Sequence, residues 1–137
     1  MNANLKSVPQ TPTLRDSYTS EWWYSELLEY THDAIIVWEL GGKGIVYMNR
    51  AAEQLYGYSL DEAFGRITHD LLRTRLLSDI SELESAIADH GIWVGELHHT
   101  TRHGHEIAVR SRLTLLPRVD DRWLVVEINR EMNTPGE

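Results

Sequence analysis

The chain has 137 residues, no cysteine, a formal net charge of −8 and an apolar fraction of 42%. That length suits one domain, and the apolar fraction supplies a single core of ordinary size. Without thiols there are no disulfides, thiolate nucleophiles or Cys-ligated zinc, and the acidic balance argues against a general nucleic-acid binder, which needs a basic face to displace phosphate counterions.

No apolar run approaches the roughly 20 residues of a membrane span, and the N-terminus lacks a signal-peptide pattern. A cytoplasmic location without membrane insertion is therefore expected. Residues 1–20 carry Pro9 and Pro12 among Ser, Thr and Asn and read as a flexible tail. From Glu21 to Thr31 the pattern changes. Trp23, Leu27 and Tyr30 recur at i, i+4 and i+7 and make one apolar stripe on a short helix. A short amphipathic helix needs a partner. It either packs on its own domain or pairs with the same helix of a second subunit.

Ala34 to Leu40 is a β-rich run, Gly41 to Gly44 a turn, and Ile45 to Met48 a second strand, so this segment predicts a hairpin. Asn49 is placed to cap a helix beginning at Arg50 and ending at Gly57. Ser59 and Glu62 form a capping box for a second short helix that stops at Gly65. Leu76 to His90 reads as the longest helix, with Ile80, Leu83 and Ile87 on one face and Gly91 as its stop.

The remainder predicts strands. Ile92 to Thr101 leads into Arg102-His103-Gly104-His105, where His-Gly would fill the centre of a tight turn. Ile107, Val109, Ser111, Leu113 and Leu115 alternate with Ala108, Arg110, Arg112 and Thr114, the mark of a half-buried strand. After a turn around Pro117 to Arg122, Trp123 to Asn129 forms the last strand. The order β-β-α-α-α-β-β-β predicts an α+β fold: a five-stranded antiparallel sheet covered on one face by short helices, with an N-terminal amphipathic helix.

Tyr47-Met48-Asn49-Arg50-Ala51-Ala52-Glu53, followed by Tyr56-Gly57-Tyr58-Ser59-Leu60-Asp61-Glu62-Ala63-Phe64-Gly65, resembles the opening signature of PAS (S-box) sensor domains. Trp93-Val94-Gly95-Glu96 and then Arg102-His103-Gly104-His105-Glu106 resemble the family's W-x-GE segment and its K/R-D-G-x-E turn, with His103 where Asp is usual. Val126 to Glu131 resembles the closing strand. The match spans residues 21–132, leaving 133–137 as a C-terminal tail. It is nearest to PAS domains found upstream of bacterial sensor histidine kinases.

The resemblance implies a ligand, if there is one, between sheet and helices. The candidate lining is Ile36, Trp38, Leu71, Leu72, Leu83, Ile87, Trp93, Leu113 and Val125. Apolar periodicity identifies core before it identifies pocket, so core filling is the favoured reading of these positions and no cofactor the leading expectation. The light-oxygen-voltage subfamily forms a flavin adduct on a cysteine within a G-x-N-C-R-F-L-Q stretch, and here that place holds Gly65 to Asp70. Noncovalent flavin stays open. Haem would need an axial histidine, with His69 and His90 as the helical-segment candidates. His69 is expected in a surface loop. His98 and His99 are adjacent and so point to opposite strand faces, and with His103 and His105 they are expected at the surface rather than as a metal site. Glu39, Glu96, Glu106 and Glu127 are expected mostly as solvated cross-strand partners of Arg110 and Arg112.

No nucleophile motif, P-loop or kinase signature is present, and no catalytic residues are expected. The reading is a sensory or signal-relay module, without enzymatic activity of its own, that homodimerises through Trp23, Leu27 and Tyr30 and regulates a histidine-kinase output or partner protein in response to a small-molecule ligand or a partner. The alternative is a cofactor-free dimerisation and protein-docking module.

Overall fold

The computed structural model of the chain describes residues 31–118 and 120–132. The stripe of Trp23, Leu27 and Tyr30 lies outside the described residues. From His32 onward the elements are β1 (Ala34–Glu39), β2 (Gly44–Met48), α1 (Arg50–Tyr56), α2 (Leu60–Ala63), α3 (Thr68–Leu71), α4 (Ile80–His90), β3 (Ile92–Thr100), β4 (Glu106–Leu115) and β5 (Leu124–Glu131). The strands form one antiparallel sheet in the order β2-β1-β5-β4-β3. The last strand thus lies in the middle, paired on one side with the first.

The two strand hairpins and the bracketed helical middle follow the expected order, with two differences. Thr68–Leu71 forms a helical turn that the sequence pattern did not announce, and α4 begins at Ile80 rather than Leu76. The backbone of Arg75 is already used. Its N–H donates to His98 O (2.9 Å) and its carbonyl accepts from His98 N (2.8 Å), tying this stretch to the edge strand β3. A helix cannot run through a residue paired in that way. Leu76 packs on the core, whereas Leu77 is exposed.

The caps are as read. Asn49 Oδ1 accepts from Ala52 N (2.9 Å), and Ser59 with Glu62 closes a capping box. Asn49 does more than cap. It is buried, its Oδ1 also accepts from Ile35 N (2.9 Å), and its Nδ2 donates to Asp33 O (2.9 Å), so one side chain joins β1 to α1.

The β3–β4 turn corrects a detail. Gly104 N donates to Thr101 O (2.9 Å), so Arg102 and His103 are the central residues, and Gly104 alone takes the left-handed conformation (φ 89°). His103 keeps a negative φ, so its presence in place of Asp carries no strain.

The core sits between the helices and the inner face of the sheet. Alternation assigns that face: Ala34, Ile36 and Trp38 from β1; Leu97 and His99 from β3; Val109, Ser111 and Leu113 from β4; Val125, Glu127 and Asn129 from β5. Leu83 and Ile87 of α4 and Tyr56 of α1 close over it. At the hairpin end, Ile45 N donates to Arg66 O (2.8 Å) and Gly65 N to Ile45 O (2.8 Å), fastening the start of β2 to the segment before α3.

Candidate functional site

Of the nine residues expected to line a pocket, eight are buried, and Trp93 packs against the same core while partly exposed. The structure brings them together as one packed cluster. Two clefts border it. One, of about 440 Å³, takes only Trp38 from the nine, and another, of about 310 Å³, takes only Trp93.

At the centre of the inner face the core is polar. Glu127, fully buried on β5, accepts from Trp38 Nε1 (2.9 Å) at Oε1 and from Asn129 Nδ2 (2.9 Å) at Oε2. Asn129 Nδ2 also donates to Tyr56 Oη (3.0 Å), and Asn129 Oδ1 accepts from Ser111 Oγ (2.6 Å). Tyr56 Oη lies 2.7 Å from Nδ1 of the fully buried His99. The directions follow from donor counting. A carboxylate needs donors, so the Asn129 amide nitrogen faces it. Tyr56 Oη receives one of that amide's hydrogens and sends its own to His99 Nδ1. The ring proton of His99 is therefore on Nε2, which stands 3.7 Å from Glu127 Oε2, too far for a hydrogen bond. The two aromatic rings meet edge to face at 5.2 Å.

Burial dominates the titration of this cluster. It pushes the Tyr56 hydroxyl well above the usual tyrosine value, and the charge of Glu127 adds to the shift. It lowers His99, with the Glu127 charge opposing. The arrangement holds a tyrosine and a histidine neutral on either side of physiological pH.

Three sequence expectations are corrected here. Glu127 is not a solvated partner of Arg110 or Arg112; it lies opposite Leu113 and is buried. Of the other carboxylates, Glu96 does lie opposite Arg110 across β3 and β4, with its Oε2 2.9 Å from His98 Nε2, whereas the exposed Glu106 pairs with Arg75 and the mostly buried Glu39 with Arg122 Nη2 (3.3 Å). His99 is not at the surface. His69 is not in a surface loop: it is on α3, its side chain only 9% exposed, edge-on to Trp38 at 5.4 Å. The signal for the first two was alternation. Once Val125 and Leu113 face inward, Glu127 and Asn129 must follow Val125, and His99 must follow Trp93.

The larger cleft lies where the β1–β2 turn, α3 and α4 meet. Trp38, Leu40, Ile67 and Ala88 give it apolar walls; Glu39 and Glu84 stand at it, and Gly41, Gly42 and Gly44 form its backbone side. Thr68 and His69 complete it. Thr68 Oγ1 and His69 Nε2 are buried and have no hydrogen-bond partner. His69 Nδ1 contacts Thr74 Oγ1 at 3.3 Å, and His69 Nε2 lies 4.0 Å from Glu84 Oε2. Trp38 belongs to both regions, its ring edge on His69 and its N–H on Glu127. Among the described residues no group of three or more His, Cys, Asp or Glu is placed to hold a metal ion, and no helix is long and apolar enough to cross a membrane.

The comparisons with known proteins agree with this geometry. The family model described as the PAS fold matches residues 24–136. The structure is similar to the PAS domain of a two-component sensor histidine kinase, with a TM-score of 0.70 at 17% identity, covering 85% of this chain and 99% of that one. It is similar to the PAS domain of a protein from Colwellia psychrerythraea, with a TM-score of 0.67 at 25% identity and coverage of 82% and 97%. It also resembles the LOV domain of the Erythrobacter litoralis EL346 blue-light activated histidine kinase, with a TM-score of 0.62 at 21% identity and coverage of 74% and 97%. No curated protein matches the chain. With the antiparallel order β2-β1-β5-β4-β3, the helices over one face and a family match across nearly its whole length, the chain belongs to the PAS family.

Proposed function

We propose that this PAS domain is a sensory and relay module of a bacterial signal-transduction protein, located in the cytoplasm, dimeric through the Trp23, Leu27 and Tyr30 stripe, and regulating a histidine-kinase output by a ligand- or partner-dependent change. One observation carries the reading. The hydrogen-bonded cluster draws residues from α1, β1, β3 and β4 onto Glu127 and Asn129 of β5, the central strand that runs directly to the chain's exit at Arg130 and Glu131. A rearrangement at Tyr56 or His99 therefore reaches the exit strand through hydrogen bonds. Such a change biases an output only if the output binds the two states differently.

The test is a chimera with the domain placed ahead of a histidine-kinase core, read by autophosphorylation. Tyr56→Phe and Asn129→Ala, each verified as folded, are expected to move kinase activity several-fold from the unsubstituted chimera, while Lys43→Ala at the exposed hairpin leaves it unchanged. Folded Tyr56→Phe and Asn129→Ala chimeras with unaltered activity would contradict the relay.

The second reading, a cofactor-free dimerisation and docking module, is favoured by the close packing of the expected lining: Ile36, Leu72, Leu83, Ile87, Leu113 and Val125 are each 0% exposed. Native mass spectrometry separates the two. A small molecule retained by the folded protein and lost on denaturation supports the sensor; a ligand-free dimer supports docking.

A further inference from the structure

We propose that the cleft between the β1–β2 turn, α3 and α4 is a binding site for a small organic cation, an amine or amidinium carried on an apolar body. This deepens the sensory reading by naming a ligand chemistry, but the binding itself stands on the cleft alone.

Three observations define the ligand. First, the cleft's volume of about 440 Å³ lies within the range of small-molecule sites, roughly 300–1,000 Å³. Trp38, Leu40, Ile67 and Ala88 offer apolar contact for an aromatic or aliphatic body. Second, Thr68 Oγ1 and His69 Nε2 are polar atoms left without partners. Thr68 is 2% exposed and the His69 side chain 9% exposed, so both are withdrawn from solvent at a cost that a bound group would remove. In the tautomer whose Nδ1–H donates to Thr74 Oγ1, His69 Nε2 carries a lone pair, and the Thr68 hydroxyl oxygen can accept as well. N–H groups on the ligand match both atoms. Third, the charged residues lining the cleft are Glu39 and Glu84. Glu39 is already paired with Lys43 and Arg122. Glu84 is half exposed, with only the imidazole of His69 at 4.0 Å, and it faces a bound cation. An anion would meet the Glu84 carboxylate, which has no Lys or Arg paired with it among the described residues.

Ile67 and Glu84 line the cleft and are partly exposed, so a ligand enters beside them. Once there it touches Trp38, whose N–H is bonded to Glu127. The site is thus one residue removed from the inner-face cluster, and occupancy has a direct route to it.

The experiment is a 1H–15N NMR titration of the whole chain with benzamidine, and in parallel with benzoate, its anionic counterpart. Benzamidine is expected to bind with a Kd on the order of 1 mM, shifting the amides of Gly41, Gly42, Thr68, His69 and Ala88. Benzoate is expected to bind at least about tenfold more weakly. Glu84→Gln, at a half-exposed position where folding is not at risk, and Thr68→Val are each expected to weaken benzamidine about fivefold or more while leaving the other resonances in place. Equal binding of benzoate, shifts centred elsewhere, no shifts at about 10 mM benzamidine, or undiminished binding by Glu84→Gln would overturn the proposal. Because the readout is binding, a negative result here leaves the kinase chimera as a separate test of the relay.

Discussion

Two buried histidines show how differently this fold treats polar groups in its interior. His99 sits in a chain of bonds that the fold itself supplies: Tyr56 serves its Nδ1, Asn129 serves Tyr56, and Ser111 and Glu127 serve Asn129. Its Nε2, 3.7 Å from Glu127 Oε2 and away from the cleft's lining, has no hydrogen-bond partner among the described residues. His69 lies on the far side of Trp38, with a long contact to Thr74 and an unmatched Nε2 beside an unmatched Thr68 hydroxyl. The first region is organised to hold one arrangement, because each of its side chains constrains the next. The second leaves bonding capacity unused at the edge of a cleft. The proposed sensory role draws on both: a place whose energy changes when something arrives, and a rigid element that carries the change onward.

The largest effect that would break this contrast comes from Glu127→Ala. It strips the acceptor from two buried donors, Trp38 Nε1–H and one N–H of Asn129. At about 1–3 kcal/mol for each orphaned buried group, the loss should be about 2–6 kcal/mol in urea denaturation. A loss near zero would mean that the network is not the constraint described here.

Gly44→Ala strikes the other region. Gly44 has φ 96°, and a Cβ there would lie 2.3 Å from the Gly65 carbonyl oxygen, in the backbone clamp beside the cleft. The left-handed conformation alone costs a side-chain-bearing residue about 1–3 kcal/mol, and the clash must in addition shift the Gly65 segment. Hydrogen exchange should quicken around Ile45 and Gly65 before it quickens in β4 and β5. Uniform quickening would show that the two regions are one cooperative unit.

The smallest effect is a pH dependence. His99 binds its proton less readily folded than unfolded, because burial lowers its pKa. The unfolded chain therefore takes up the extra proton, and stability falls as pH drops below about 6.5, the ordinary histidine value. The loss continues down to the depressed folded value, with a slope of at most about 1.4 kcal/mol per pH unit from this group. Subtracting the profile of His99→Gln from that of the wild-type protein should leave this slope. A flat difference would mean that His99 is not kept neutral.

Much of the fold was legible in the sequence because it rests on local signals: period-two alternation in β4, the Asn49 cap, the Ser59–Glu62 box, and glycines at the helix ends. The start of α4 was not, because the pairing of Arg75 with His98 is a tertiary contact with no local mark. The site was half legible. The apolar positions were identified and do cluster, but Glu127 and His99 were placed outside by their residue type, although their strand positions pointed inward. Polarity is a poor guide to exposure where a partner waits across the sheet. The cleft at Thr68 and His69 depends on α3, a single helical turn without a side-chain cap, so the sequence pattern offered no handle on it.

The most direct test of the account is the protonation state of His99, read from the two ring nitrogens by long-range 1H–15N NMR at pH 7. The hydrogen-bond directions through Ser111, Asn129 and Tyr56 require a neutral ring with its proton on Nε2 and a bare Nδ1 accepting from Tyr56. A protonated imidazolium, or a proton on Nδ1, would contradict the network and with it the route by which a change in the core reaches β5.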